Sequence, residues 1–190
     1  MSLSRIRDAR LLRNDLLMIG FLVGLDVAAR LLLDAPDVTP VAATALFAAN
    51  ILRVHALAVL VPIAAMAIAD AMLGFYDFRV TMAVYASLAL PAIAACLSSR
   101  LRRPLMMAPV LMSSSLLFFL VTNFAVWAFT PMYAASAAGL IKCYVAALPF
   151  LRNMMTGDLC WGLTLFGTYW LVRNIVSANA EKQTADTVGA

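Results

Sequence analysis

The feature that most restricts what this chain can become is a series of long apolar runs. Residues 56–73, 80–97, 105–129 and 159–176 carry only Asp70 and Arg173 as charged side chains between them. A helix needs about 20 apolar residues to cross the hydrocarbon of a bilayer. The runs are continuous rather than alternating, which excludes the strands of a membrane barrel. Composition agrees, since 64% of the 190 residues are hydrophobic and 13% are charged, more apolar surface than a soluble domain buries. Backbone polar groups in lipid must be satisfied within the segment itself. The fold expected is therefore an all-α integral membrane protein in contact with membrane lipid.

Boundaries follow from where polar residues collect. Residues 1–14, with Arg5, Arg7, Arg10 and Arg13, form a basic cytoplasmic N-terminus. Residues 15–176 form a single transmembrane domain, and the small, polar residues 177–190 read as a disordered cytoplasmic tail. A signal peptide is the competing reading of the start, but the first apolar run contains Asp26 and Arg30 and lacks a small-residue cleavage site. Those two charges are four residues apart and are expected to pair along one helix. Gly20, Gly24 and Ala28 also recur at four-residue spacing, a strip of small side chains against which a partner helix can pack.

Residues 41–52 are too few for a comfortable crossing and read as a short tilted or re-entrant helix, placing Thr39, Thr44 and Asn50 against protein. The basic side chains Arg53, Arg100, Arg102, Arg103, Arg173 and Lys182 fall on the side of the N-terminus, which gives about six crossings with both termini cytoplasmic. Bracketed by Pro131 and Pro149 and centred on Lys142, residues 134–151 are expected to form a short helix lying on the outer face as a lid. Asp34, Asp37, Asp70, Asp77 and Asp158 then gather on the outer side.

The blocks Val38-Thr39-Pro40, Asp70-Ala71-Met72-Leu73-Gly74-Phe75-Tyr76, Thr122-Asn123-Phe124-Ala125-Val126-Trp127, Cys143 through Asn153 and Gly157-Asp158-Leu159 resemble an uncharacterised family of small bacterial membrane proteins. More distantly, the layout is similar to the S components of energy-coupling-factor vitamin transporters. That resemblance implies an S-component-like six-helix bundle in the bacterial inner membrane, with an outward-facing vitamin site. It also implies a transmembrane coupling subunit docked on the Gly20, Gly24 and Ala28 strip.

The function expected is uptake of a small vitamin-like molecule. Trp127, Tyr76, Tyr133 and Tyr144 would stack on it, and Thr39, Asn123 and Asn153 would hydrogen-bond to it. Asp70, Asp158 and Arg152 would set its charge preference, and these three are expected to lie within reach of one another. The alternative is an accessory subunit of a larger membrane complex. An enzyme is the weakest reading: His55, the single histidine, falls at the opposite end from the polar cluster, and no nucleophile, nucleotide or metal motif is present. No cofactor or metal is implied, because Cys96, Cys143 and Cys160 stand at unrelated positions. Nucleic acid is excluded as a partner, because the basic residues sit at helix ends rather than on one face.

Overall fold

The computed structural model describes residues 3–33 and 38–188, with side chains from 10 to 180 within those ranges. Six α-helices lie among them: α1 (Leu3–Leu32), α2 (Val41–Ile51), α3 (Leu60–Leu73), α4 (Phe78–Leu97), α5 (Met107–Phe129) and α6 (Ala137–Val188). Short 3-10 turns, His55–Val59 and Pro104–Met106, lead into α3 and α5. No strand occurs among the described residues.

Short connections make successive helices run in opposite directions. One end of the bundle therefore gathers Leu33, Leu73 and Phe129, and the other gathers Arg53, Leu97 and Arg103. Counting their leading turns, three helices are long and apolar enough to cross a membrane: His55–Leu73, Phe78–Leu97 and Pro104–Phe129. Much of their apolar surface faces outward, including Ile68 on α3, Ile93 on α4 and Leu116, Leu120 and Phe124 on α5. Aqueous solvent would penalise such a surface, whereas lipid does not.

At the centre stands α2. Only 11 residues long, it spans about 16 Å, roughly half the hydrocarbon thickness. Val41 through Ala49 are all buried. Alanines make up much of this helix, and their small side chains let it be surrounded by α1, α3, α4, α5 and α6 at close range. Leu46, Leu22, Val61 and Leu111, all with no exposed surface, complete the principal core around it. The expectation of a short helix facing protein rather than lipid describes α2 well.

Element ends follow local chemistry. Asp77 caps α4, its side chain accepting the N–H groups of Arg79 at 2.8 Å and Val80 at 3.4 Å. Gly74 ends α3 at φ +103°, a left-handed backbone that favours glycine. Beyond the end of α4, Arg102 donates to the Ala95 carbonyl at 2.9 Å. The buried Asp15 of α1 accepts the backbone N–H groups of Arg53 and Val54 at 3.2 and 3.4 Å, tying the chain after α2 to α1.

Two expectations about elements are corrected. Residues 134–151 do not form a separate outer-face helix: from Ala137 they belong to α6, which runs 52 residues through Pro149 and past Gly157. The proline is exposed, and losing one backbone hydrogen bond does not break a helix this long. Residues 177–188, read as a disordered tail, continue the same helix. Asp34 and Asp37, expected on the outer side, lie outside the described residues, which resume at Val38.

Candidate functional site

A cavity of about 260 Å³ opens between α1, α2, α4, α5 and α6. Its polar lining comes from Arg30, Thr39, Ser87, Ser114, Ser115 and Asp158, and its apolar lining includes Leu88, Phe118 and Met154. Each polar group reaches the cavity for a traceable reason. The sharp start of α2 after Pro40 places Thr39 at its rim. Ser114 and Ser115 sit midway along α5, each bonded back to the carbonyl four residues earlier, which lets a hydroxyl remain on an apolar helix.

Asp158 faces the cavity because α6 passes unusually close to the chain entering α2. A Cβ on Gly157 would meet Val38 at 3.0 Å from its Cα and 3.1 Å from its Cγ1. Glycine thus suits the close approach here, where a Cβ would press on Val38, and the next residue is turned toward α5. Asp158, 3% exposed, accepts a hydrogen bond of 2.6 Å from Ser115.

Arg30 forms the opposite polar contribution. Its Nη2 lies 3.3 Å from Asp70 Oδ1, an ion pair between α1 and α3. The other Asp70 oxygen accepts from the Tyr85 hydroxyl at 2.8 Å. Among the described residues, Nη1 of Arg30 meets the Met66 sulfur at 3.4 Å, and its buried Nε has no hydrogen-bond partner. The pairing expected between Asp26 and Arg30 is therefore corrected. Asp26, 1% exposed, is bonded instead to the Thr44 hydroxyl of α2, whose oxygen is 2.8 and 3.0 Å from its two carboxylate oxygens.

Of the residues expected to form a site, Thr39 and Asp158 line the cavity, and Asp70 stands directly behind Arg30. The expectation that Arg152 joins the two acids is corrected: it is exposed and lines a different, apolar groove with Leu148, Met155 and Cys160. A basic residue on a long apolar helix is tolerated there because its side chain remains outside the packed interior.

None of the four expected stacking aromatics lines the cavity. Trp127 packs against Phe124 with ring centres 5.5 Å apart and donates to the Ala134 carbonyl at 3.0 Å, closing the turn before α6. Tyr144 packs on Phe119 and donates to the Leu120 carbonyl at 2.7 Å, joining α6 to α5. Tyr133 is half-buried in the turn between those helices. Tyr76, 39% exposed in the loop after α3, feels the buried pair: burial and the Asp70 charge push its phenol up from the ordinary value, with Arg30 working in the other direction.

Asn123 binds the Phe119 carbonyl of its own helix and lines a separate cavity of about 150 Å³. Asn153 is partly buried on α6 outside the main cavity. Gly20, Gly24 and Ala28 are exposed and line an apolar groove of about 550 Å³ beside Ile68 of α3.

Reading the sequence alone passes over Tyr85 and Ser87 and leaves the serine run of α5 without a role. Tyr85 carries no sequence signal, because its partner Asp70 belongs to the preceding helix. The serines do carry one, being the consecutive hydroxyls of an otherwise apolar crossing.

No group of three or more His, Cys, Asp or Glu side chains comes together to hold a metal ion among the described residues. No curated protein matches the chain. No solved structure matches it either, so the likeness to S components rests on the sequence layout alone. A family model does match, over residues 10–180, and thereby covers every helix of the bundle. The chain belongs to that family, a family of unknown function (DUF6580).

Proposed function

We propose that the protein binds a small polar molecule in the cavity between α1, α2, α4, α5 and α6 and carries it into the cell as part of an uptake system. In this reading the six helices all enter the bilayer, with α2 as a half-length inner piece. The observation that carries it is the convergence of Arg30, Thr39, Ser114, Ser115 and Asp158 on one half-enclosed space within an otherwise apolar bundle. Polar groups at membrane depth are costly and mark ligand or ion pathways. At about 260 Å³ the cavity is near the lower end of the range for small-molecule sites, which favours a compact ligand. The positive residues at the opposite end support a cavity mouth on the outer face. This arrangement is what a vitamin-binding S component would require, with bacterial inner membrane as the setting.

Native mass spectrometry of protein gently extracted from its host tests the reading. A retained molecule of a few hundred daltons, lost in Asp158→Asn, is the expected result. Protein that is folded and empty, or that keeps the molecule in the variant, overturns it.

One observation favours a second reading, an accessory subunit of a larger membrane complex. The Gly20, Gly24 and Ala28 strip is exposed, and no other described residue covers its groove. Gly24→Leu should then release the protein from a co-purifying assembly while leaving its own fold intact. In the uptake reading the same strip would receive a coupling subunit, and the substitution would uncouple transport without affecting ligand retention.

A further inference from the structure

The polar groups around the cavity have a consistent sense. Arg30 is the cation of this wall, and it is already matched by Asp70 at 3.3 Å. Asp70 is also satisfied on its second oxygen by Tyr85. Asp158 is different: it is 3% exposed and lines the cavity, and it accepts from the neutral hydroxyl of Ser115. A carboxylate taken out of water needs a compensating charge or it is strongly disfavoured. Among the described residues no cation faces Asp158, so the wall itself supplies this carboxyl with no counter-charge.

Hydrogen-bonding capacity points the same way. A serine hydroxyl has one proton to give. Ser87 spends its proton on the Ala83 carbonyl at 2.6 Å and Ser114 on the Val110 carbonyl at 2.7 Å. Ser115 lies 2.6 Å from Asp158 and 3.0 Å from the Leu111 carbonyl, so its proton is also engaged. What these three residues still offer is lone pairs. Pro91, on the same wall, withholds the N–H that the Ser87 carbonyl would receive in a regular helix. Among the described residues of the wall, donors remain on Arg30, whose buried Nε is without a partner there, and on Thr39. The wall near Asp158 is thus rich in acceptors and negative.

We propose that the cavity takes a small organic ammonium ion, its N–H groups held by Asp158 and the serine oxygens, with a carbonyl or hydroxyl of the same molecule facing Arg30. An ammonium group is a pure donor with a positive charge, the complement of what the wall presents. A multivalent metal is disfavoured by the single lining carboxylate and by the lack of a ligand cluster among the described residues. The assignment rests on the ligand-binding reading above and narrows it to one class.

Four probes of similar size and different charge test it on the full chain in nanodiscs: tyramine, neutral 4-ethylphenol, anionic 4-hydroxyphenylacetate and the zwitterionic amino acid tyrosine. Tyramine should bind at least about tenfold more tightly than the neutral or anionic probe, and Asp158→Asn should abolish that preference. Ser114→Ala, at a half-buried position, should weaken tyramine severalfold without altering the melting temperature, so a folding failure of Asp158→Asn does not decide the matter. Preference for 4-hydroxyphenylacetate or 4-ethylphenol overturns the ammonium assignment and leaves a binding cavity standing. Stabilisation by sodium chloride alone, persistence of the tyramine preference in Asp158→Asn, or binding of none of the four also overturns it. Whether the cavity holds any host molecule is decided separately by mass spectrometry.

Discussion

Buried polar side chains in this protein are joined in small, specific sets rather than in one cluster. Arg30 joins Asp70 and Tyr85 across three helices, and removing the cation leaves a carboxylate of 1% exposure bonded only to a phenol. Arg30→Ala should destabilise the protein by about 3 kcal/mol, the cost of breaking a buried pair. Asp70→Ala added to it should restore part of that loss, and a double-mutant cycle of thermal unfolding in detergent would measure the coupling. Additive losses would show that the pair contributes nothing as a pair. Thr44 poses a similar test, because its hydroxyl donates to the buried Asp26. Thr44→Val should cost about 2 kcal/mol by leaving that carboxyl unsatisfied, whereas Thr44→Ser keeps the hydroxyl and should cost less than half as much. The chemical types at these positions were readable from sequence; the partners were not. Asp26 and Arg30 stand at the spacing of a helical pair, yet a different helix competes for each, α2 through Thr44 and α3 through Asp70, and that competition is settled in three dimensions.

At the scale of elements, α6 holds the main lesson. Pro149 and Gly157 are both helix-weakening residues, and a linear reading divides the chain near them. The helix continues because each has a local reason to be tolerated. Pro149 is exposed, and Gly157 is needed where α6 crosses Val38. Gly157→Ala should therefore destabilise by about 1–3 kcal/mol, through overpacking rather than through helix propensity, where alanine would help. It should also displace Asp158 and weaken ligand retention. Circular dichroism melting together with the retained-ligand measurement checks both; a stabilised variant would show that the contact with Val38 is slack. By contrast, α2 was legible in sequence, since a dozen apolar residues that begin at a proline and end at Arg53 leave little choice but a short inner helix.

For the whole molecule, the alternation of helix direction was also visible in the sequence, because basic residues cluster after every second apolar run. The residues after α3 and α5 share one end of the bundle, and those after α2 and α4 share the other. Single cysteines at Arg79 and Met132, introduced into a cysteine-free background, should react alike with a membrane-impermeant maleimide in intact cells. Cysteines at Arg53 and Arg100 should behave in the opposite way. A difference between Arg79 and Met132 would contradict the arrangement of α4 and α5. The position of the cavity was less legible, since Trp127, Tyr144 and Arg152 sit in dense, distinctive blocks but serve the joints and outer surface of α5 and α6. Distinctive sequence marks constraint, and tight helix junctions are constrained as strongly as ligand contacts.

The length of α6 has a mechanical side. Asp158 stands well before its end, and the chain from there to Val188 is uninterrupted helix, a rod of about 45 Å. Its side chains are exposed throughout residues 167–180, and Tyr169 packs on Phe47 with ring centres 5.9 Å apart. Beyond that contact the helix runs about 28 Å further to Val188, so a tilt of about 5° there would sweep the tip through about 2.5 Å. Events around a single carboxylate would thus be transmitted as movement to a surface beyond the bundle.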